Sequence, residues 1–374
     1  MDISVSSGVL SFFGRTLYDR GPDAVCLNWT ASSFALRFFG DRLEMDATAL
    51  ADTFPGEGDS LPWLAVLTDG QKEPARLIAM EKGRKTYLLF SSRQPQEHTL
   101  RVVKRSENSK GRVCLHKLTL SGEPRAYAPP ETRIKLEFVG DSITCGFGNA
   151  MEADAPAFTT ALEDGLAAYP AVAAELLGAQ YQSVCISGIP LCNPSDPKYR
   201  LLLPDMPETQ LPPLSMETQY AYADRYHQEI MGMTDGFTPW DFARFKPDAV
   251  VVNLGTNDAF RMSVAGGGLS EELHFQKRYT AFLHTLRRCN GHGPVLACTL
   301  GPMNYFLYNA IEKAVSLYQE ETGDQRVFCM KFGAINSWGE GFGGLGHPNL
   351  KTHERMGREL ADALRPWLAT GGKP

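Results

Sequence analysis

The sequence predicts two domains, an antiparallel β-sandwich over residues 1–128 and a doubly wound parallel α/β sheet over residues 132–374. Three observations carry this expectation. The apolar pattern changes near residue 128 from short runs broken by turn residues to strand, helix, strand. Gly122-Glu123-Pro124 and Pro129-Pro130, at the same place, have the character of a linker. A chain of 374 residues also suggests two domains at roughly 100–200 residues each.

In the first half, Phe34-Leu36-Phe38 and Leu43-Met45 alternate on either side of Gly40-Asp41 and read as separate short strands. Leu61, Leu64, Val66 and Leu67 run into the turn Thr68-Asp69-Gly70. Tyr87-Leu88-Leu89-Phe90 and then His98, Leu100, Val102 and Val103 supply two more strands, and a weak helical period covers 75–82. In the second half, apolar runs at 134–139, 184–186, 249–254, 295–300 and 327–332 read as buried strands. Helical patterns lie at 165–177, 271–289, 305–320 and 351–367, the last amphipathic. The stretch from about 194 to 245 is rich in Pro, Met and Tyr and has the length of a binding loop or lid.

Composition narrows the function classes. With 43% hydrophobic and 21% charged residues the chain is an ordinary globular one. Its 37 Lys and Arg against 43 Asp and Glu give a net charge of −6 without a basic tract, which argues against a nucleic-acid partner. No apolar run approaches the roughly 20 residues that span a bilayer, so no membrane role is expected. The start, Met1-Asp2-Ile3-Ser4-Val5, has neither the basic nor the apolar region of a signal peptide, and a cytoplasmic protein is expected, with secretion the alternative for a trimmed sequence. The eight cysteines, Cys26, Cys114, Cys145, Cys185, Cys192, Cys289, Cys298 and Cys329, are dispersed and form no C-x-x-C pair, so buried reduced thiols are expected. The eight histidines show no zinc-ligand spacing, and neither a metal nor an organic cofactor is expected. Oligomeric state is left open.

In a doubly wound sheet, ligands bind beyond the carboxyl ends of the strands. After the first strand run comes Gly140-Asp141-Ser142-Ile143-Thr144-Cys145-Gly146, and after the second Ser187-Gly188-Ile189. After the third comes Gly255-Thr256-Asn257-Asp258, and a glycine-rich loop after the last ends in Gly346-His347-Pro348-Asn349. A serine, a glycine amide, an asparagine amide and a histidine thus arrive at one edge. A serine hydroxyl needs a base near working pH to become a nucleophile, and a developing oxyanion needs N–H donors. The inventory is that of acyl transfer.

These four blocks, in this order, resemble the signature of the SGNH, or GDSL-type, hydrolases. The longer wording over 140–148 (GDSITCGFG) and 253–258 (NLGTND) is more particularly similar to carbohydrate esterase family 2. Gly14-Arg15, Thr68-Asp69-Gly70, His98-Thr99-Leu100 and Lys104-Arg105-Ser106-Glu107 resemble the jelly-roll domain that precedes the flavodoxin-like SGNH domain in that family. The resemblance implies removal of O-acetyl groups from sugars of plant polysaccharides such as xylan or glucomannan, or their oligosaccharides. Ser142 would be the nucleophile, His347 the base, and the N–H groups of Ser142 and Gly188 with the Asn257 side chain the oxyanion hole. Many SGNH enzymes place an Asp three residues before the His, where this chain has Gly344; the only acid in the loop is Glu340. A Ser–His dyad is therefore expected, its imidazole oriented by main-chain carbonyls, with Glu340 as the alternative third member.

Other residues carry plainer readings. Asp141 holds the turn, Asp258 is a turn or helix-cap residue, His353 is a surface or packing histidine, and Cys145 is an inert packed thiol. His98 and His116 fall in the sandwich. Trp338, Trp240, Tyr305 and Phe147 are candidates for stacking on a sugar, although Trp240 reads equally as a core anchor. The alternatives to a carbohydrate O-acetylesterase are a thioesterase or lipid esterase on the same scaffold, and a carbohydrate-binding protein that has lost activity.

Overall fold

Alternating burial along Ser33–Leu50 builds the long strand at the centre of the first unit. The structure, a computed structural model, describes residues 1–18, 23–54, 58–128, 132–193 and 214–369. The prolines Pro129 and Pro130 and residues 194–213 of the predicted loop lie outside the described residues. The chain divides into two compact units, Met1–Glu131 with Pro156–Leu166, and Thr132–Ala155 with Ala167–Pro374.

The first unit contains β1 (Asp2–Ser4), β2 (Ser11–Phe13), β3 (Leu17–Tyr18), β4 (Val25–Cys26), β5 (Ser33–Leu50), β6 (Asp52–Phe54), β7 (Gly58–Ser60), β8 (Trp63–Thr68), β9 (Arg76–Ala79), β10 (Gly83–Lys104) and β11 (Arg112–Arg125). Nine of them form one antiparallel sheet along the path β3-β4-β11-β5-β10-β8-β9, with β1 on β11 and β2 on β5. Phe34, Leu36, Phe38, Leu43, Met45, Leu100, Val102, Leu115 and Leu118 meet in its core.

Several local expectations differ from the structure. Gly40-Asp41 is not a break, because β5 runs straight through it. Gly40 faces Gly122 beside a register shift, and a Cβ on either would run into the other strand's backbone. Here glycine marks a bulge with close backbone approach, not a turn. The two strands expected at 87–90 and 98–103 are likewise one strand, β10, with a register shift between Ser91 and Gln96. The helix expected over 75–82 is instead strand β9, paired with β8. Cys26 and Cys114 face each other on β4 and β11 and form a disulfide, so the expectation of eight reduced thiols is corrected for these two. Residues 156–166 pack into this unit through Arg105–Asp164 (2.9 Å) and through Glu163, which accepts from the Glu107 N–H at 3.2 Å.

The second unit contains β12 (Ile134–Gly140), α1 (Ser142–Cys145), α2 (Tyr169–Leu177), β13 (Ala179–Cys185), α3 (Met216–Gln219), α4 (Arg225–Ile230), β14 (Ala249–Asn253), α5 (Thr256–Ala265), α6 (Leu269–Asn290), β15 (Val295–Leu300), α7 (Tyr308–Thr322), β16 (Val327–Lys331) and α8 (Leu350–Ala369). Its five strands are all parallel, in the order β13-β12-β14-β15-β16. The chain therefore leaves β12 first to one side and then to the other, a topological switch point at the carboxyl end of β12. Helix α8 buries His353, Met356, Leu360 and Leu364 at helical spacing. It packs closely on α2 because residue 357 is glycine; a Cβ there would stand 2.5 Å from Val172. Among the described residues no helix is long and apolar enough to cross a membrane.

Candidate active site

The candidate nucleophile sits on a turn that few residues can make. At Gly140, where β12 ends, a Cβ would collide with the Thr144 side chain, so only glycine lets α1 begin at once. Asp141 caps that helix, its Oδ1 accepting from the Ile143 N–H at 3.0 Å. Ser142 is thus the first residue of α1 and is 6% exposed. Gly146, at φ 83°, closes the turn.

The candidate base arrives from the far end of the chain. A tight turn over Gly344–Gly346 delivers His347, whose Nε2 lies 3.0 Å from Ser142 Oγ across 205 positions. The Phe147 ring packs against the imidazole, with centroids 4.8 Å apart. The turn is fastened to the loop behind the nucleophile: the Gly344 N–H donates to the Gly148 carbonyl at 2.9 Å, and the Gly343 N–H to the His347 carbonyl at 2.8 Å. A Cβ on Gly344 would stand 2.5 Å from Met151 Sδ. An acid three residues before His347 would have to displace the Met151 side chain.

Glu340 is committed elsewhere. Its carboxylate accepts from Arg355 Nε at 2.6 Å and Nη2 at 3.0 Å, from Thr352 Oγ1 at 3.1 Å and from the Asn336 N–H at 3.2 Å. The Arg355 guanidinium holds this carboxyl below the usual range. Glu340 fastens the loop before His347 to α8.

Gly188 is exposed at φ 75°, and the space where a Cβ would project is open. Asn257 opens α5 at the same sheet edge. Its Nδ2 donates to Asp141 Oδ2 at 3.2 Å and to the Ile189 carbonyl at 3.1 Å, so both amide hydrogens have acceptors. Asp258 does not act as a simple cap. Its buried carboxylate accepts from the Leu191 N–H at 2.9 Å and the Cys192 N–H at 3.2 Å, holding the loop that carries Gly188. Burial pushes this carboxyl up to about 6, and the two amides oppose that rise.

The aromatic candidates separate. Trp338 is 99% exposed, whereas Trp240 is 5% exposed with the Arg244 guanidinium over its ring, a core anchor with no face for a sugar. The Tyr305 hydroxyl donates to the Phe332 carbonyl at 2.7 Å. His353 is a buried packing residue, its Nδ1 accepting from the Tyr169 N–H, and burial lowers it to about 3. Cys145 is buried and is not disulfide-bonded. In the first unit His98 bonds Asp69 and His116 bonds Thr48. Sequence reasoning missed Gly148 and Met151, whose importance lies in contact with residues nearly two hundred positions away.

Two outcomes follow from this geometry. Gly344→Asp is expected to lower kcat by about 10²-fold through displacement of the base, with partial recovery on adding Met151→Ala; steady-state kinetics of both variants check it, and an undiminished kcat would show that the loop has room. Asp258 binds a proton more readily folded than unfolded, so its contribution to stability is full below about pH 4 and fades as pH rises through about 6. Urea unfolding of the unaltered chain and of Asp258→Asn should then show their stability difference moving against the unaltered chain between pH 4 and 7; a constant difference would contradict it.

Comparisons with known proteins show the family of the chain. The profile of the GDSL-like Lipase/Acylhydrolase family matches residues 136–360, and that of the Carbohydrate esterase 2 N-terminal domain matches residues 12–130. The chain is 28% identical over 342 residues to the cellulase/esterase CelE of Acetivibrio thermocellus, covering 90% of this chain but only 37% of that protein. It is 28% identical over 303 residues to the acetylxylan esterase / glucomannan deacetylase of Cellvibrio japonicus, covering 81% and 76% of the two. The solved structure of a family two carbohydrate esterase from Clostridium thermocellum in complex with cellohexaose is similar at TM-score 0.76 and 26% identity, covering 96% of this chain and 99% of that one. This chain belongs to the GDSL-like lipases/acylhydrolases, in the two-domain form that begins with the N-terminal domain of carbohydrate esterase family 2.

Proposed function

We propose that the chain is a serine esterase that removes O-acetyl groups from carbohydrate, the oligo- or polysaccharide being its partner in catalysis. The observation that carries this reading is the 3.0 Å contact of Ser142 Oγ with His347 Nε2 at the carboxyl edge of the parallel sheet. Ser142 Oγ attacks the acetyl carbonyl carbon as His347 takes its proton. The oxyanion gathers the N–H groups of Ser142 and Gly188, and Asn257 joins them by releasing the Ile189 carbonyl. Each such donor is typically worth ~10²–10³ in turnover. The sugar oxygen then leaves with the proton from His347. Water attacks the acetyl-serine, gives its proton to His347, and acetate departs as Ser142 Oγ recovers a proton.

With Glu340 paired to Arg355, the reading is a Ser–His dyad in which peptide contacts at Gly343, Gly344 and Gly148 hold the turn that carries His347. The sugar class rests on the names of the relatives, one called an acetylxylan esterase / glucomannan deacetylase and another solved with cellohexaose. Trp338, almost wholly exposed on the loop before His347, is the aromatic assigned to stack on a sugar ring.

Acetate release from acetylated xylo- and gluco-oligosaccharides tests the assignment, measured beside long-chain acyl esters. Ser142→Ala and His347→Ala are each expected to lose more than about 10³-fold in kcat with folding intact. Glu340→Gln should keep turnover within about tenfold while lowering Tm. Preference for long acyl chains would replace this reading with a lipid esterase or thioesterase, and sugar binding without turnover with a binding protein.

A further inference from the structure

Among the described residues three non-glycine residues have positive φ: Ala31, Asp69 and Leu345. Asp69 precedes Gly70 in a tight turn and is of a type that tolerates this conformation; Ala31 is small and buried. Leu345 fits neither description. It stands at φ 53° and ψ 36°, the left-handed region that crowds a leucine Cβ, and its side chain is 64% exposed. It lies between Gly344 and Gly346, two residues before His347. The sequence thus places glycine on both sides of a strained position and a large apolar residue on the position itself.

Packing does not account for this choice. A side chain so exposed recovers little from burial, while glycine or asparagine would relieve the backbone. A strained residue persists where something other than the fold requires it, and such residues gather at functional sites. The same loop also exposes Trp338 and Phe342, so the apolar display beside the base is not confined to one residue. The base hands its proton to the departing alcohol, which puts its own loop on the leaving-group side of the ester.

We propose that Leu345 is a specificity-determining residue that packs against the apolar C–H face of the sugar bearing the acetyl group. The proposal rests on the carbohydrate-esterase reading above. The test compares kcat/KM for acetylated xylo-oligosaccharide with that for 4-nitrophenyl acetate, which carries no sugar, in the full chain. Leu345→Asn, which accepts the left-handed backbone without the apolar side chain, should lower the ratio of the two about tenfold, mainly through KM on the glycan ester. Its Tm should rise by about 2 °C. Leu345→Met, which keeps an apolar reach, should hold the ratio within about threefold.

An unchanged ratio in Leu345→Asn would overturn the proposal while leaving the esterase reading intact. A lower Tm in that variant would also overturn it, because Leu345 would then be a packing residue. Failure of the unaltered chain on the glycan ester, with aryl acetate still hydrolysed, would take down the functional reading and this proposal together.

Discussion

One contact defines the candidate site of the second unit, the 3.0 Å hydrogen bond between Ser142 Oγ and His347 Nε2. Its two ends come from opposite termini of one domain, and a displacement of about 1 Å is enough to cost most of the proximity such a pair provides. The sequence meets this constraint with missing side chains as much as with present ones. Gly140 lets α1 start against Thr144, Gly344 lets the base turn lie on Met151, and Gly357 lets α8 lie on α2. At each of these positions a single methyl group would stand within 2.5 Å of a neighbouring side chain. The close-packed interior has no slack to absorb such an overlap.

Three acids stand near the pair, and each is used for holding. Asp141 caps α1 and fixes the Asn257 amide. Asp258 holds the loop of Gly188 by two of its amides, at the cost of burying a carboxylate. Glu340 ties the loop of His347 to Arg355 on α8. Carboxylates thereby position each element that carries a candidate group, while the charge that would develop in catalysis is met by N–H donors. A carboxylate at position 344 would first have to displace the Met151 side chain, whose Sδ lies 2.5 Å from where its Cβ would stand.

The parallel sheet was legible because its strands are buried on both faces and read as unbroken apolar runs, such as 249–253 and 295–300. The candidate pair was legible because catalytic side chains follow strand ends in a fixed order. The first domain was harder to read. Gly40 and Gly122 carry a turn signal locally, yet they serve a contact with each other that neither neighbourhood reveals. Helix α5 was hidden because its first turn, Thr256-Asn257-Asp258, is polar and reads as a loop. The Cys26–Cys114 disulfide lies between strands separated by 88 positions, beyond any local pattern.

Local rules are broken at several points along the carboxyl edge of the second unit's sheet. Leu345 adopts a backbone that suits glycine, Asp258 is a carboxylate buried among amides, and Trp338 stands almost wholly in solvent. Each feature alone has an ordinary explanation in some protein. Together they lie on the segments that follow β14 and β16, and Ser142 follows β12 at the same edge. A sequence specifies its fold when every level agrees, and disagreement concentrates where selection has acted on something besides stability. This clustering uses neither the motif wording nor the relatives, so it is an independent physical reason to place the chemistry at that edge.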